Sequence, residues 1–176
     1  MKTMIAQGEF GVSKDPSVLY SAVLGSCVAA CVFDPGMRVG GMNHILLPGG
    51  SAAAGYDEDR RFGAYLMELL INGMYSLGAR RNHLEFKVFG GSKIFDARFN
   101  PGDLNIRFVQ DFLKNEGFKI EASSLGGTVG RRVEFSPTTG KVRMRFISDG
   151  YNQPEPVRVQ RKPPPAPAHS GELDLF

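Results

Sequence analysis

Apolar positions crowd two neighbouring stretches of this chain, residues 24–33 and 38–47, and a turn-forming segment separates them. Asp34-Pro35-Gly36-Met37 between two runs rich in Val, Ile and Leu predicts a β-hairpin. With 34–37 as the turn, Phe33 faces Arg38, and Cys27 falls directly across from His44. Directly opposed residues share one face of the sheet, with Cβ atoms roughly 4.5–5.5 Å apart. A slip of one residue would put the two on opposite faces.

Strand patterns also run over 3–12, 19–24, 84–89 and 118–123, and a closing hairpin joins 131–135 to 141–147. Phe62, Leu66, Leu69, Leu70, Met74 and Leu77 recur at helical spacing and predict a helix over 59–77, with Gly78 just past its end. A second helix is predicted over 106–116, with Asn105 as N-cap and a buried stripe of Ile106, Val109, Phe112 and Leu113. Residues 48–55 read as a loop. Helices interspersed with hairpins at both ends predict an α+β fold, a mixed α/β sandwich with antiparallel hairpins, rather than a doubly wound parallel sheet.

Composition changes the picture near residue 152. Pro154, Pro156, Pro163, Pro164, Pro165 and Pro167 mark a tail that is not expected to pack. The expected division is a domain over 1–150 and a Pro-rich, disordered tail over 151–176. Within the tail, Ser170 to Phe176 alternates acidic and apolar residues, as a disordered end or as a short docking peptide. A net charge of +3 does not by itself imply nucleic acid. The basic residues Arg131, Arg132, Lys141, Arg143 and Arg145 alternate with Val142, Met144 and Phe146, as a solvated face over a packed one does. No nucleic-acid partner is expected. No apolar run is long enough to span a membrane and the first residues lack the pattern of a signal peptide, so no membrane insertion and a cytoplasmic location are expected.

The two cysteines, Cys27 and Cys31, are too few for a disulfide framework. On a strand they stand roughly 13 Å apart, beyond bridging distance. A lone cysteine on an apolar strand is ordinarily core, and so is a lone histidine. Two features favour chemistry at Cys27: Gly25-Ser26 places it at a loop-to-strand junction, and His44 lies in register with it. An imidazole beside a thiol is what a cysteine nucleophile needs. Cys31 reads as core. Ser21, six residues before Cys27, is a candidate to orient the imidazole or, equally, a hydroxyl bonded to backbone. Zinc held by Cys27, Cys31, His44 and His83 is the competing reading, but a Cys-x₃-Cys spacing suits a loop or helix better than a strand. No metal or organic cofactor is expected.

Leu24-Gly25-Ser26-Cys27-Val28, then Gly40-Gly41-Met42-Asn43-His44 followed by Leu47-Pro48, resembles the chemoreceptor glutamine deamidase family, CheD. The resemblance continues through Lys87-Val88-Phe89-Gly90-Gly91, Leu104-Asn105-Ile106 and Gly126-Gly127-Thr128-Val129-Gly130-Arg131, and spans roughly residues 3–147. It implies a sandwich fold similar to cytotoxic necrotizing factor-type deamidases. It also implies hydrolysis of side-chain amides of glutamines on chemoreceptor cytoplasmic helices, giving glutamate and ammonia through a cysteine thioester. The family's nucleophile matches Cys27 and its histidine matches His44. Its third polar residue, usually threonine, best matches Ser21, where serine keeps the hydroxyl and loses the methyl. In some signalling systems the resemblance further implies binding to a CheC-type phosphatase. An adaptor that binds receptors and such a phosphatase with little catalysis is the alternative from a different class; a cysteine peptidase or transglutaminase would use similar groups on another acceptor.

Overall fold

The computed structural model describes residues 1–47, 53–93 and 100–147, with 53–58 described as helical backbone alone. The strands are β1 (Lys2–Met4), β2 (Phe10–Ser13), β3 (Leu19–Leu24), β4 (Val28–Asp34), β5 (Val39–Asn43), β6 (Glu85–Gly90), β7 (Ile120–Leu125), β8 (Arg131–Phe135) and β9 (Val142–Phe146). The helices are α1 (Ala53–Ser76) and α2 (Pro101–Asn115). A five-stranded sheet has the order β2-β5-β4-β6-β7, and a four-stranded sheet the order β1-β3-β8-β9.

β4 explains the unbroken apolar run, because both of its faces are covered. Val28, Ala30 and Val32 pack with Leu66, Leu70 and Met74 of α1 and with Val109 and Leu113 of α2. On the other face, Cys27, Ala29 and Cys31 pack with Tyr20, Ala22 and Leu24 of β3 and with Val133 and Phe135 of β8. The result is three layers, helices on the five-stranded sheet and that sheet on the four-stranded one, which is the expected α+β sandwich.

The hairpin register differs from the expected one. Asp34 pairs with Val39, Cys31 with Met42, and Val28 bridges Ile45. The turn is therefore 35–38, with Arg38 at a φ of 52°. Asp34 makes this turn: its Oδ1 accepts from the N–H groups of Gly36 (2.8 Å) and Met37 (3.0 Å), so it caps the turn from the last strand position. Pairing moves by two positions rather than one. Side-chain alternation has a period of two, so Cys27 and His44 keep a common face, but as diagonal neighbours. His44 stands abreast of Ala29.

Residues 3–12 form two strands in different sheets, not one, and 5–9 cross between them. α1 begins at Ala53, earlier than residue 59, and Phe62 is 41% exposed while Met67 and Ile71 join the buried stripe. Its end is as expected: Gly78 has a φ of 95°, and the N–H groups of Gly78 and Ala79 bond the carbonyls of Tyr75 and Met74. α2 begins at Pro101, with Asn100 rather than Asn105 as N-cap; its side chain accepts from Gly102 N–H at 3.0 Å. The tail over 151–176, its terminal docking peptide and the 48–52 loop lie outside the described residues. No helix among the described residues is long and apolar enough to cross a membrane.

Candidate active site

Gly25 and Ser26 carry the chain from β3 in one sheet to β4 in the other, and Cys27 sits where it arrives. Three consecutive carbonyls fix this crossing. Gly25 O accepts from Ser92 N–H at 2.8 Å, and Cys27 O accepts from Gly91 N–H at 2.7 Å. Ser26 O accepts from Asn105 Nδ2 at 3.0 Å. Gly90, at a φ of 116°, lies against Cys27 O so closely that any Cβ would overlap it. Asn105 is fully buried and also takes Leu47 N–H on its Oδ1 at 2.8 Å. One side chain thus ties the segment before Cys27 to the segment after His44.

The glycine turns are held from behind by Arg131. Its guanidinium donates to the carbonyls of Ser124 and Gly126 and to Ser92 Oγ. Burial lowers its pKa from the ordinary arginine value. The Gly-Gly pairs are therefore tight turns packed around Cys27 and a buried arginine.

The Cys27 thiol is buried, 1% exposed, on the inner face of the five-stranded sheet. Gln7 Nε2 lies 3.3 Å from Sγ. Burial outweighs this donor and pushes the thiol pKa up to about 11. His44 is also buried, and its Nδ1 lies 2.9 Å from Ile5 O. A carbonyl can only accept, so Nδ1 carries the proton and Nε2 presents a lone pair. Nε2 is buried without a hydrogen-bond partner among the described residues. Burial pushes the imidazole pKa down, against the opposing pull of the Ile5 carbonyl and the Glu9 carboxylate. At rest the pair is a neutral thiol and a neutral imidazole with its basic nitrogen open. Diagonal neighbours across a sheet stand roughly 7–8 Å apart, within reach of a long side chain.

Ser21 is buried in β3, in register with Met4 and Glu134. Tyr20, Ala22 and Leu24 face the interlayer core with Cys27, so strand alternation turns the Ser21 side chain to the other face. Its connection to His44 runs through the main chain: Ser21 O accepts from Ile5 N–H at 2.8 Å, and Ile5 O accepts from His44. Cys31 is core, and burial raises its pKa well above the ordinary thiol value. His83 lies with Asp34 beside the β4–β5 turn, at 3.8 Å. No group of three or more His, Cys, Asp or Glu residues that could hold a metal occurs among the described residues.

Sequence reasoning missed Gln7, the Ile5 carbonyl and the bridging role of Asn105. The first two sit in a segment that alternates like a strand, where only Gly8, at a φ of 80°, signals a crossing. Asn105 carries a residue type equally suited to a helix cap.

Fold and site define a class: a three-layer α+β protein with a buried thiol and a buried imidazole on the same face of its five-stranded sheet. The family model described as CheD chemotactic sensory transduction matches residues 46–146. The chain is 48% identical over 177 residues to the probable chemoreceptor glutamine deamidase CheD of Caulobacter vibrioides (strain NA1000 / CB15N), covering 100% of this chain and 94% of the relative. It is 48% identical over 173 residues to the protein of the same name from Agrobacterium fabrum (strain C58 / ATCC 33970), covering 98% and 94%. The chain belongs to the CheD family. Among solved structures, the hypothetical protein YfiH of Bacillus licheniformis superposes with a TM-score of 0.46 at 13% identity, over 66% of this chain and 51% of that one.

Proposed function

We propose that this chain is a protein-glutamine deamidase that converts side-chain amides of chemoreceptor glutamines to carboxylates, with Cys27 as nucleophile and His44 as base. The name shared by its relatives supports the substrate. The observation that carries the chemistry is the tautomer of His44: Nδ1–H is committed to Ile5 O, which leaves Nε2 as the acceptor.

Because the resting thiol is neutral, His44 Nε2 takes the Cys27 proton as sulfur attacks the carboxamide carbon. The C–S bond forms and the carbonyl electron pair moves onto oxygen. Collapse of that intermediate breaks the C–N bond, and the proton on His44 goes to the leaving nitrogen as ammonia. Water, deprotonated by the same imidazole, then hydrolyses the γ-glutamyl thioester to glutamate and restores the thiol. Ser21 supports His44 through its carbonyl and Ile5.

The same reading places the protein in the cytoplasm, with receptor helices as substrate, no nucleic acid as partner, and a CheC-type phosphatase as a second protein partner. A receptor cytoplasmic fragment incubated with wild type, Cys27→Ala and His44→Ala tests it. Wild type is expected to release ammonia and convert glutamine to glutamate without cleaving the chain, and both variants to lose this. Equal conversion by all three proteins contradicts the assignment.

A further inference from the structure

The 5–9 crossing is braced on both sides of its apex. Ile5 N–H bonds Ser21 O (2.8 Å), Gly8 N–H bonds His44 O (2.8 Å), and His44 N–H bonds Glu9 O (3.0 Å). Within the crossing, Glu9 N–H bonds Ala6 O at 3.0 Å, and the Glu9 carboxylate accepts from Ala6 N–H at 3.0 Å. Gln7 stands at that apex. It is an exposed residue, yet its carboxamide nitrogen turns inward to the buried Cys27 sulfur, 3.3 Å away. A side-chain N–H donor thus stands at the atom that would attack.

We propose that Gln7 is a catalytic residue whose carboxamide N–H holds the oxyanion of the tetrahedral intermediate. This rests on the reading that Cys27 attacks a glutamine carboxamide. The oxygen that gains charge is bonded to the carbon that sulfur attacks, so a donor held at the sulfur is within reach of it. A carboxamide does not titrate in this pH range, and it serves as a fixed donor without exchanging a proton. Such donors are most effective in a site that excludes water, where no solvent competes for the developing charge. The brace through Gly8 and Glu9 ties the backbone on either side of Gln7 to the main chain of His44.

The test uses the full chain and a receptor cytoplasmic fragment. Gln7→Ala is expected to lower kcat by about 100-fold with KM little changed, the usual cost of removing one oxyanion donor. Its thermal midpoint should equal that of wild type, because Gln7 is exposed. Gln7→Glu places an acceptor where a donor is needed, so it should lose as much at neutral pH and gain on Gln7→Ala as pH falls and the carboxyl takes a proton. A purely structural role would leave the pH profiles of both variants parallel to wild type. Full kcat in Gln7→Ala, with Cys27→Ala inactive, overturns this inference alone. Faster alkylation of Cys27 by iodoacetamide with undiminished turnover would make Gln7 a cover over the thiol and overturn it too. Activity retained by Cys27→Ala would instead sink the reading beneath it.

Discussion

His44 and Cys27 are each buried in the uncharged form, and the consequences can be measured. The imidazole pKa is lowered, so the unfolded state binds protons first as pH falls. His44 therefore contributes stability that is present above about pH 6.5, the unperturbed histidine value, and is lost below it. Thermal midpoints of wild type should drop through that range, and His44→Gln should flatten the drop. The Cys27 pKa is raised to about 11, so the unfolded state loses its proton first as pH rises. That contribution is complete below the ordinary thiol value and is lost as pH climbs towards 11. Ultraviolet absorbance should accordingly show no thiolate at neutral pH, and a Cys27→Ser difference spectrum should reveal one only under strongly alkaline conditions. Thiolate absorbance at pH 7 would contradict a neutral resting pair. Cys27 and His44 stand out as candidates in the sequence because Gly-Ser and Gly-Gly motifs flank them. Gln7 does not, because its proposed role comes from where a crossing places its side chain.

At the scale of elements, the site depends on two devices that hold the crossing before Cys27. Gly90 combines a φ of 116° with direct contact to Cys27 O. Gly90→Ala should cost at least the roughly 1–3 kcal/mol of a strained backbone position and lower activity, as measured by urea unfolding and turnover. Asn105 satisfies Ser26 O and Leu47 N–H at once. Asn105→Ala should cost about 1–3 kcal/mol for each buried partner left unpaired and should reduce turnover as well as stability. The element types were readable from apolar periodicity, while their ends and register were not. The hairpin pairing turned on whether Asp34 is a turn residue or the last strand residue. Its side chain caps the turn while its backbone pairs with Val39, and no hydrophobic pattern separates these readings. The α2 start was misplaced for a related reason: Asn100 and Asn105 are both competent caps, and only the tertiary partners of Asn105 decide between them.

At the scale of the molecule, the chain crosses between its two sheets at 5–9 and at 25–27, and these crossings deliver Gln7, the Ile5 carbonyl and Cys27 to one place. The α+β sandwich was legible from alternating strands and helices. The three-layer order was not, because a strand covered on both faces gives no sign of which layer lies on which side. Arg131 of the four-stranded sheet bonds Ser124 and Gly126, at the end of β7 and just beyond it in the other sheet. Arg131→Met should therefore destabilise the protein and slow turnover together, read by unfolding and activity on one preparation. The central claim is that Cys27 carries the acyl group while His44 moves the proton. Its most direct test is mass spectrometry of the enzyme quenched in acid during turnover of a short glutamine peptide. A hydroxylamine-sensitive adduct of the peptide less ammonia, mapped to Cys27 in wild type and absent from His44→Ala, is the predicted result. Turnover at full rate with no adduct on Cys27, or with unimpaired turnover in Cys27→Ala, would contradict it.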